Sequence, residues 1–87
     1  MNKKWFVYIV VCSDNSLYTG ITTDVDRRVY EHNNDNKKGA RYTKARRPVS
    51  LKTYFEFENR KDAAKEEYRI KQLTRIEKLN LISTNEI

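Results

Sequence analysis

This chain has few residues with special covalent or conformational roles. Its 87 residues include one cysteine, one proline, one histidine and two glycines. A single thiol, Cys12, excludes an intrachain disulfide and argues against a cysteine-built zinc site. The expected role for Cys12 is a small buried apolar side chain. No run approaches the roughly 18 consecutive apolar residues that a membrane span needs. The start, Met1-Asn2-Lys3-Lys4-Trp5-Phe6, leads directly into a strand-like run. It lacks the apolar stretch and small-residue cleavage site of a signal peptide, so a cytoplasmic location is the default expectation. The length suits one domain, placed at 1–83 with a frayed tail at 84–87. A domain of this size buries only a modest core.

Acid is missing from one place in particular. Lys37, Lys38, Arg41, Lys44, Arg46 and Arg47 fall in one short segment with no Asp or Glu among them. The chain as a whole carries +6, so this segment alone accounts for the net charge. A concentrated basic loop attracts polyanions and steers their approach. The bland alternative is a solvated loop that only aids solubility.

The pattern predicts the order ββαβαα, an α+β domain with a small three-stranded antiparallel sheet flanked by helices. Trp5 to Cys12 is aromatic and β-branched, a strand signal. Leu17 to Ile21 reads as a second strand paired with it across the turn Ser13-Asp14-Asn15-Ser16. Asp24 is an N-cap candidate for a helix running to about Asn33. A basic loop from Lys37 to Pro48 follows. Val49 to Phe57 reads as a third strand, with Leu51, Thr53, Phe55 and Phe57 on one face. Asn59 caps a helix over about 60–73, and Thr74 and Glu77 form a capping box for a last short helix.

Several polar groups fall where chemistry can be done. On the first helix Val25, Val29 and His32 share a stripe, and Arg28 lies on its edge, four residues before His32. A cation and an imidazole beside an apolar face need partners. On the later helix, Glu66 and Glu67 flank the face of Ala63, Ala64, Ile70 and Leu73. Either carboxylate suits an ion pair, for example Glu67 with Lys71, or a hard cation. Tyr8 and Tyr18 lie on neighbouring strands. They share a face only if the loop between the strands has an odd number of residues or a bulge intervenes.

Taken together, these residues resemble the GIY-YIG nuclease domain. The first triplet appears as Val7-Tyr8-Ile9 in its Phe6-Val7-Tyr8 frame, and the second as Tyr18-Thr19-Gly20. The run Arg27-Arg28-Val29-Tyr30-Glu31-His32 resembles the family's helix motif, and Ala63-Ala64-Lys65-Glu66-Glu67-Tyr68 its metal-binding glutamate segment. The likeness covers nearly the whole chain and is nearest to small stand-alone bacterial members of the YhbQ type. Two motif positions depart from the pattern, with Phe6 for the first glycine and Thr19 for the middle isoleucine of the second triplet. Neither carries a reacting group. For the further C-terminal asparagine that some members use, Asn80 is the nearest candidate.

The resemblance implies a metal-dependent endonuclease acting on DNA, structure-specific and repair-related. Glu67 would hold one Mg²⁺ or Mn²⁺. Tyr8 would position or deprotonate the attacking water, His32 would accept its proton, and Tyr18 would orient water or phosphate. Arg28 would stabilise phosphoryl charge, and Gly20 would allow close backbone approach. The loop cations Lys37, Lys38, Arg41, Lys44, Arg46 and Arg47 would grip the substrate backbone, with Tyr42 free to stack on a base. A protein partner would be one source of target choice. The competing expectation is a nucleic-acid-binding module, for DNA or RNA, with the same fold and little or no activity.

Overall fold

The computed structural model describes residues 3–85. Trp5–Val11 forms β1 and Leu17–Thr22 forms β2, followed by helix α1 at Val25–Asn34. A single helical turn α2, Arg41–Lys44, sits inside the basic segment that was expected to be loop throughout. Ser50–Phe57 forms β3, and helices α3 (Arg60–Lys71) and α4 (Arg75–Thr84) complete the chain. Apart from that extra turn, the expected ββαβαα order and three-stranded antiparallel sheet are present. The strands lie in the order β2-β1-β3.

The central strand β1 explains the layering. Its residues from Val7 to Val10 are all buried, so both of its faces need cover. Val7 and Ile9 point to one side, where Ala63 and Ile70 of α3 and Ile82 of α4 close over them. Tyr8 and Val10 point to the other, where they pack with Cys12, Val49, Val25 and Val29. Cys12 is therefore the buried apolar residue expected. Among the described residues no helix is long and apolar enough to cross a membrane.

Local capping sets the helix starts. The side chains of Asp24, Asn59 and Thr74 each accept a backbone N–H at the head of α1, α3 and α4. Thr74 and Glu77 complete the capping box in both directions.

Two expectations are corrected. Leu51 does not share a face with Thr53, Phe55 and Phe57. The β1–β3 register shifts between Ile9 and Val10, so Ile9 pairs with Thr53 but Val10 with Leu51, leaving Lys52 as an unmatched residue. This bulge turns Leu51 into the Tyr8 cluster, while Phe55 and Phe57 pack on the Val7 side. The tail expected at 84–87 also begins later. Thr84 closes α4, and the Asn85 side chain donates to Thr53 Oγ1 (2.8 Å) and the Tyr54 carbonyl (3.2 Å). Residues 86–87 lie outside the described residues.

Candidate active site

The site grows from the β1–β2 register. Val11 pairs with Leu17, leaving five residues, 12–16, in the connection. That odd number puts Tyr8 and Tyr18 on one face, opposite Gly20 and Val10 respectively. Asn15 takes a left-handed conformation (φ 67°) within the turn, and the Cys12 N–H donates to the Ser16 carbonyl (2.8 Å) to close it.

Gly20 makes room for Tyr8. A Cβ built there would lie 2.4 Å from the Tyr8 hydroxyl and 2.7 Å from its Cζ. The φ of Gly20 is not positive, so the requirement is space and not backbone conformation. The phenol thereby lies flat across β2 and reaches α1.

There it meets His32, which is fully buried. The Tyr8 oxygen is 2.6 Å from His32 Nε2, and His32 Nδ1 is 2.7 Å from Thr43 Oγ1 on α2. The direction of this chain follows from its far end. Thr43 Oγ1 donates its one proton to the Ala40 carbonyl (3.0 Å), which can only accept. Thr43 must therefore accept from His32 Nδ1–H. That leaves Nε2 with its lone pair free to accept from the Tyr8 hydroxyl. The imidazole is fixed as one tautomer, with the Nε2 lone pair directed at the Tyr8 hydroxyl.

Electrostatics keep this relay neutral at rest. Burial, reinforced by the charges of Arg28 and Arg47, pushes His32 down to about 4. Burial pushes Tyr8 up to about 12, against the opposing pull of Arg28. Tyr18 packs edge-on against His32, with ring centroids 5.3 Å apart, and completes the aromatic wall.

Arg28 stands at the rim of this wall. Its Nη1 donates to Glu31 Oε1 (3.0 Å) and to the Lys38 carbonyl (2.6 Å), so the guanidinium is anchored at one end. Its charge acts on both Tyr8 and His32.

The two glutamates separate clearly. Glu66 is bound in a fork by Arg69, at 2.8 Å from Nε and 2.6 Å from Nη2. Glu67 has one looser partner, Lys71 Nζ at 3.4 Å, the ion pair expected from the spacing. The negative charge of Glu67 also reaches Tyr8, although α3 packs on the opposite face of the sheet. Among the described residues, no three His, Cys, Asp or Glu side chains gather as a metal cage. A single accessible carboxylate suits Mg²⁺, which keeps waters and binds through one or two carboxylates plus substrate phosphate. Asn80 is exposed on α4, away from these groups in the sequence and on the face covered by Ile82.

The basic segment divides into two kinds of cation. Lys37, Lys38 and Arg41 are exposed and their side chains bond to no other described residue. Lys44 is also exposed and donates to the Asn36 carbonyl (2.5 Å). Arg46 and Arg47 are engaged within the protein. Arg46 pairs with Asp14 at 3.1 Å across the β1–β2 turn. Arg47 caps the end of α1, donating to the carbonyls of His32 (2.6 Å) and Asp35 (3.1 Å) and to Asn36 Oδ1 (3.0 Å). Tyr42 is likewise engaged. It stacks on Tyr18 with centroids 5.8 Å apart, and the Arg46 guanidinium sits 3.9 Å from its ring centre. Tyr42 supports Tyr18 and remains partly exposed.

A family model for the GIY-YIG catalytic domain matches residues 4–80. The chain belongs to the GIY-YIG family. A UPF0213 protein of Desulfotalea psychrophila is 52% identical over 82 residues, which cover 94% of this chain and 74% of that protein. A UPF0213 protein of Staphylococcus epidermidis is 53% identical over 79 residues, covering 91% and 94%. The solution structure of a UPF0213 protein from Bacillus halodurans superposes with a TM-score of 0.60 at 43% identity, covering 93% of this chain and 84% of that one. GIY-YIG membership implies nuclease-type chemistry and nucleic-acid binding in general.

Thr43 is the site residue that sequence reasoning missed. The available signal was indirect: a buried imidazole needs a partner at each nitrogen, and a hydroxyl in the neighbouring segment can supply one. A ¹⁵N-resolved histidine spectrum should show His32 protonated at Nδ1 and bare at Nε2 at neutral pH, titrating near 4. Thr43→Val should release that tautomer and Thr43→Ser should keep it; a protonated Nε2 in the unaltered protein would contradict the relay.

Proposed function

We propose that this protein is a metal-dependent endonuclease that hydrolyses phosphodiester bonds in DNA. The observation that carries the reading is the directed chain from the Tyr8 hydroxyl through His32 to Thr43, with Arg28 at its rim. An imidazole nitrogen that accepts from a phenol, with an arginine at the rim, is the arrangement that proton transfer to a base requires.

Each group has a chemical task. The attacking water gives a proton to the Tyr8 oxygen as its own oxygen bonds to phosphorus. Tyr8 passes its original proton to His32 Nε2 in the same movement, so a free phenolate never forms. This matters because Tyr8 sits near 12 and His32 near 4 before substrate binds. A phosphodiester held by Arg28 offsets one of the two positive charges that depress His32, and so strengthens the base when it is needed. Arg28 then stabilises the extra charge on the phosphoryl oxygens. As the phosphorus–oxygen bond to the leaving group breaks, the released oxygen takes its proton from solvent. Glu67 would hold a divalent cation, Mg²⁺ or Mn²⁺, which supplies Lewis-acid stabilisation of the phosphate and leaving oxygen. Tyr18, braced by Tyr42 and His32, orients the water or phosphate.

Lys37, Lys38 and Arg41 are the sequence-independent grip on the backbone. A grip on the backbone carries no sequence information, so the shape of the substrate is the selecting feature. A repair-type role follows from that mode of recognition, and a protein partner is one way to narrow it.

Cleavage of labelled DNA in Mg²⁺ or Mn²⁺ tests the reading. Glu67→Ala and Arg28→Ala should each lose cutting by at least about 100-fold, the scale of removing one preorganised charge-stabilising group. Glu67→Ala should still bind DNA, and Glu66→Ala should retain activity. Full activity in Glu67→Ala would move the metal site. Replacing Lys37, Lys38 and Arg41 together with alanine should weaken duplex binding and flatten the log–log salt slope by about 2–3. An unchanged slope would remove those residues from the interface.

A further inference from the structure

Counted along the sequence, the charge outside the segment from Lys37 to Arg47 balances at zero, because that segment alone carries the chain's +6. The fold does not spread that balance evenly. On α3 the acids are spoken for. Asp62 accepts from the Asn59 side chain at 3.2 Å, Glu66 is bound by Arg69, and Glu67 faces Lys71. Arg60, Lys61 and Lys65 form no ion pair with any described residue. With Ala64 and Tyr68 they line an open depression of about 600 Å³ that contains no acidic side chain. Tyr68 is 69% exposed, and no described aromatic ring covers it. The Arg60 guanidinium leans toward Trp5, 5.6 Å from its ring centre, and this orders one edge of the surface.

This stripe shares its helix with the candidate metal carboxylate. At about 100° and 1.5 Å per residue, Arg60 falls within about 20° of Glu67 around the helix but about 10.5 Å before it along the axis, and the rest of the stripe fans away on the Tyr68 side. It runs about 12 Å along the helix axis. A strand whose phosphate sits at Glu67 and Arg28 would meet Tyr68 first, one residue on from Glu67, and Arg60 about 10.5 Å along the helix axis.

We propose that the outer face of α3 holds an unpaired DNA strand leading from the cleaved phosphate, with Tyr68 stacking on a base and Arg60, Lys61 and Lys65 contacting phosphates. The inference rests on the nuclease reading and names its substrate class: DNA with a single-stranded arm. In a duplex every base face is already stacked, so a bare tyrosine ring gains little there. In an unpaired strand each base offers a free face, and an aromatic flanked by cations is the surface that captures it. The three unpaired cations favour a polyanion over an uncharged or basic protein surface.

Fluorescence anisotropy in EDTA, which prevents cutting, tests this with three DNA probes: a blunt duplex, the same duplex with a single-stranded arm, and the arm alone. An RNA copy of the arm separates DNA from RNA. The unaltered protein should prefer the armed duplex to the blunt one. Tyr68→Ala should weaken armed-duplex binding by about 5- to 100-fold, the scale of one base–aromatic stack. It should leave blunt-duplex binding unchanged, and Tyr68→Phe should bind like the unaltered protein. Lys61→Ala with Lys65→Ala should lower the salt slope on the arm by about 1.4. Equal binding of both duplexes, indifference of the armed duplex to Tyr68→Ala, or preference for the RNA arm would overturn the inference while leaving the nuclease reading intact. Failure of the unaltered protein to bind any probe would overturn both.

Discussion

One buried hydrogen-bond chain constrains everything around it. His32 has no exposed surface, so both ring nitrogens need partners inside the protein. One partner comes from β1 and the other from α2, and α1 carries the ring between them. Three elements distant in sequence are thus held in register by a single imidazole. Leaving either nitrogen unsatisfied would cost about 1–3 kcal/mol, a large share of what so small a domain has to spare.

The rest of the architecture serves that contact. Gly20 lets the Tyr8 ring cross β2. The five-residue β1–β2 connection puts Tyr18 on the same side. Arg47 ties the basic segment to the end of α1, and Asn33 clamps both the N–H and the carbonyl of Val49 where β3 begins. These contacts hold α2, and with it Thr43, against the imidazole. Part of the basic segment is therefore a structural strap, and its exposed lysines and Arg41 are what remain for a polyanion. The same loop carries structural contacts and exposed cations in adjacent residues.

What could be read from the sequence was local. Asp24, Asn59 and Thr74 cap helices through partners three residues away, and each is where its chemistry predicts. The shared face of Tyr8 and Tyr18 reduced to whether one loop length was odd. What could not be read depends on distant partners. No feature near Lys52 announces the bulge, because it is decided by which side of the sheet Leu51 and Phe55 must pack on. Arg46 finds Asp14 32 residues away, and Arg47 finds the end of α1. A run of like charges gives no hint of which cations the fold will use. Thr43 was hidden for the same reason, since a threonine in a basic stretch has no periodic signature.

The central claim is that the Tyr8 hydroxyl moves the proton from water to His32. Tyr8→Phe removes one oxygen and keeps the ring over Gly20, so it tests that claim with little disturbance of the packing. Single-turnover cleavage should fall by 100-fold or more, on the scale of about 10²–10⁴ for a general base, while DNA affinity and the circular dichroism spectrum stay unchanged. Cleavage by Tyr8→Phe at the rate of the unaltered protein would contradict the account.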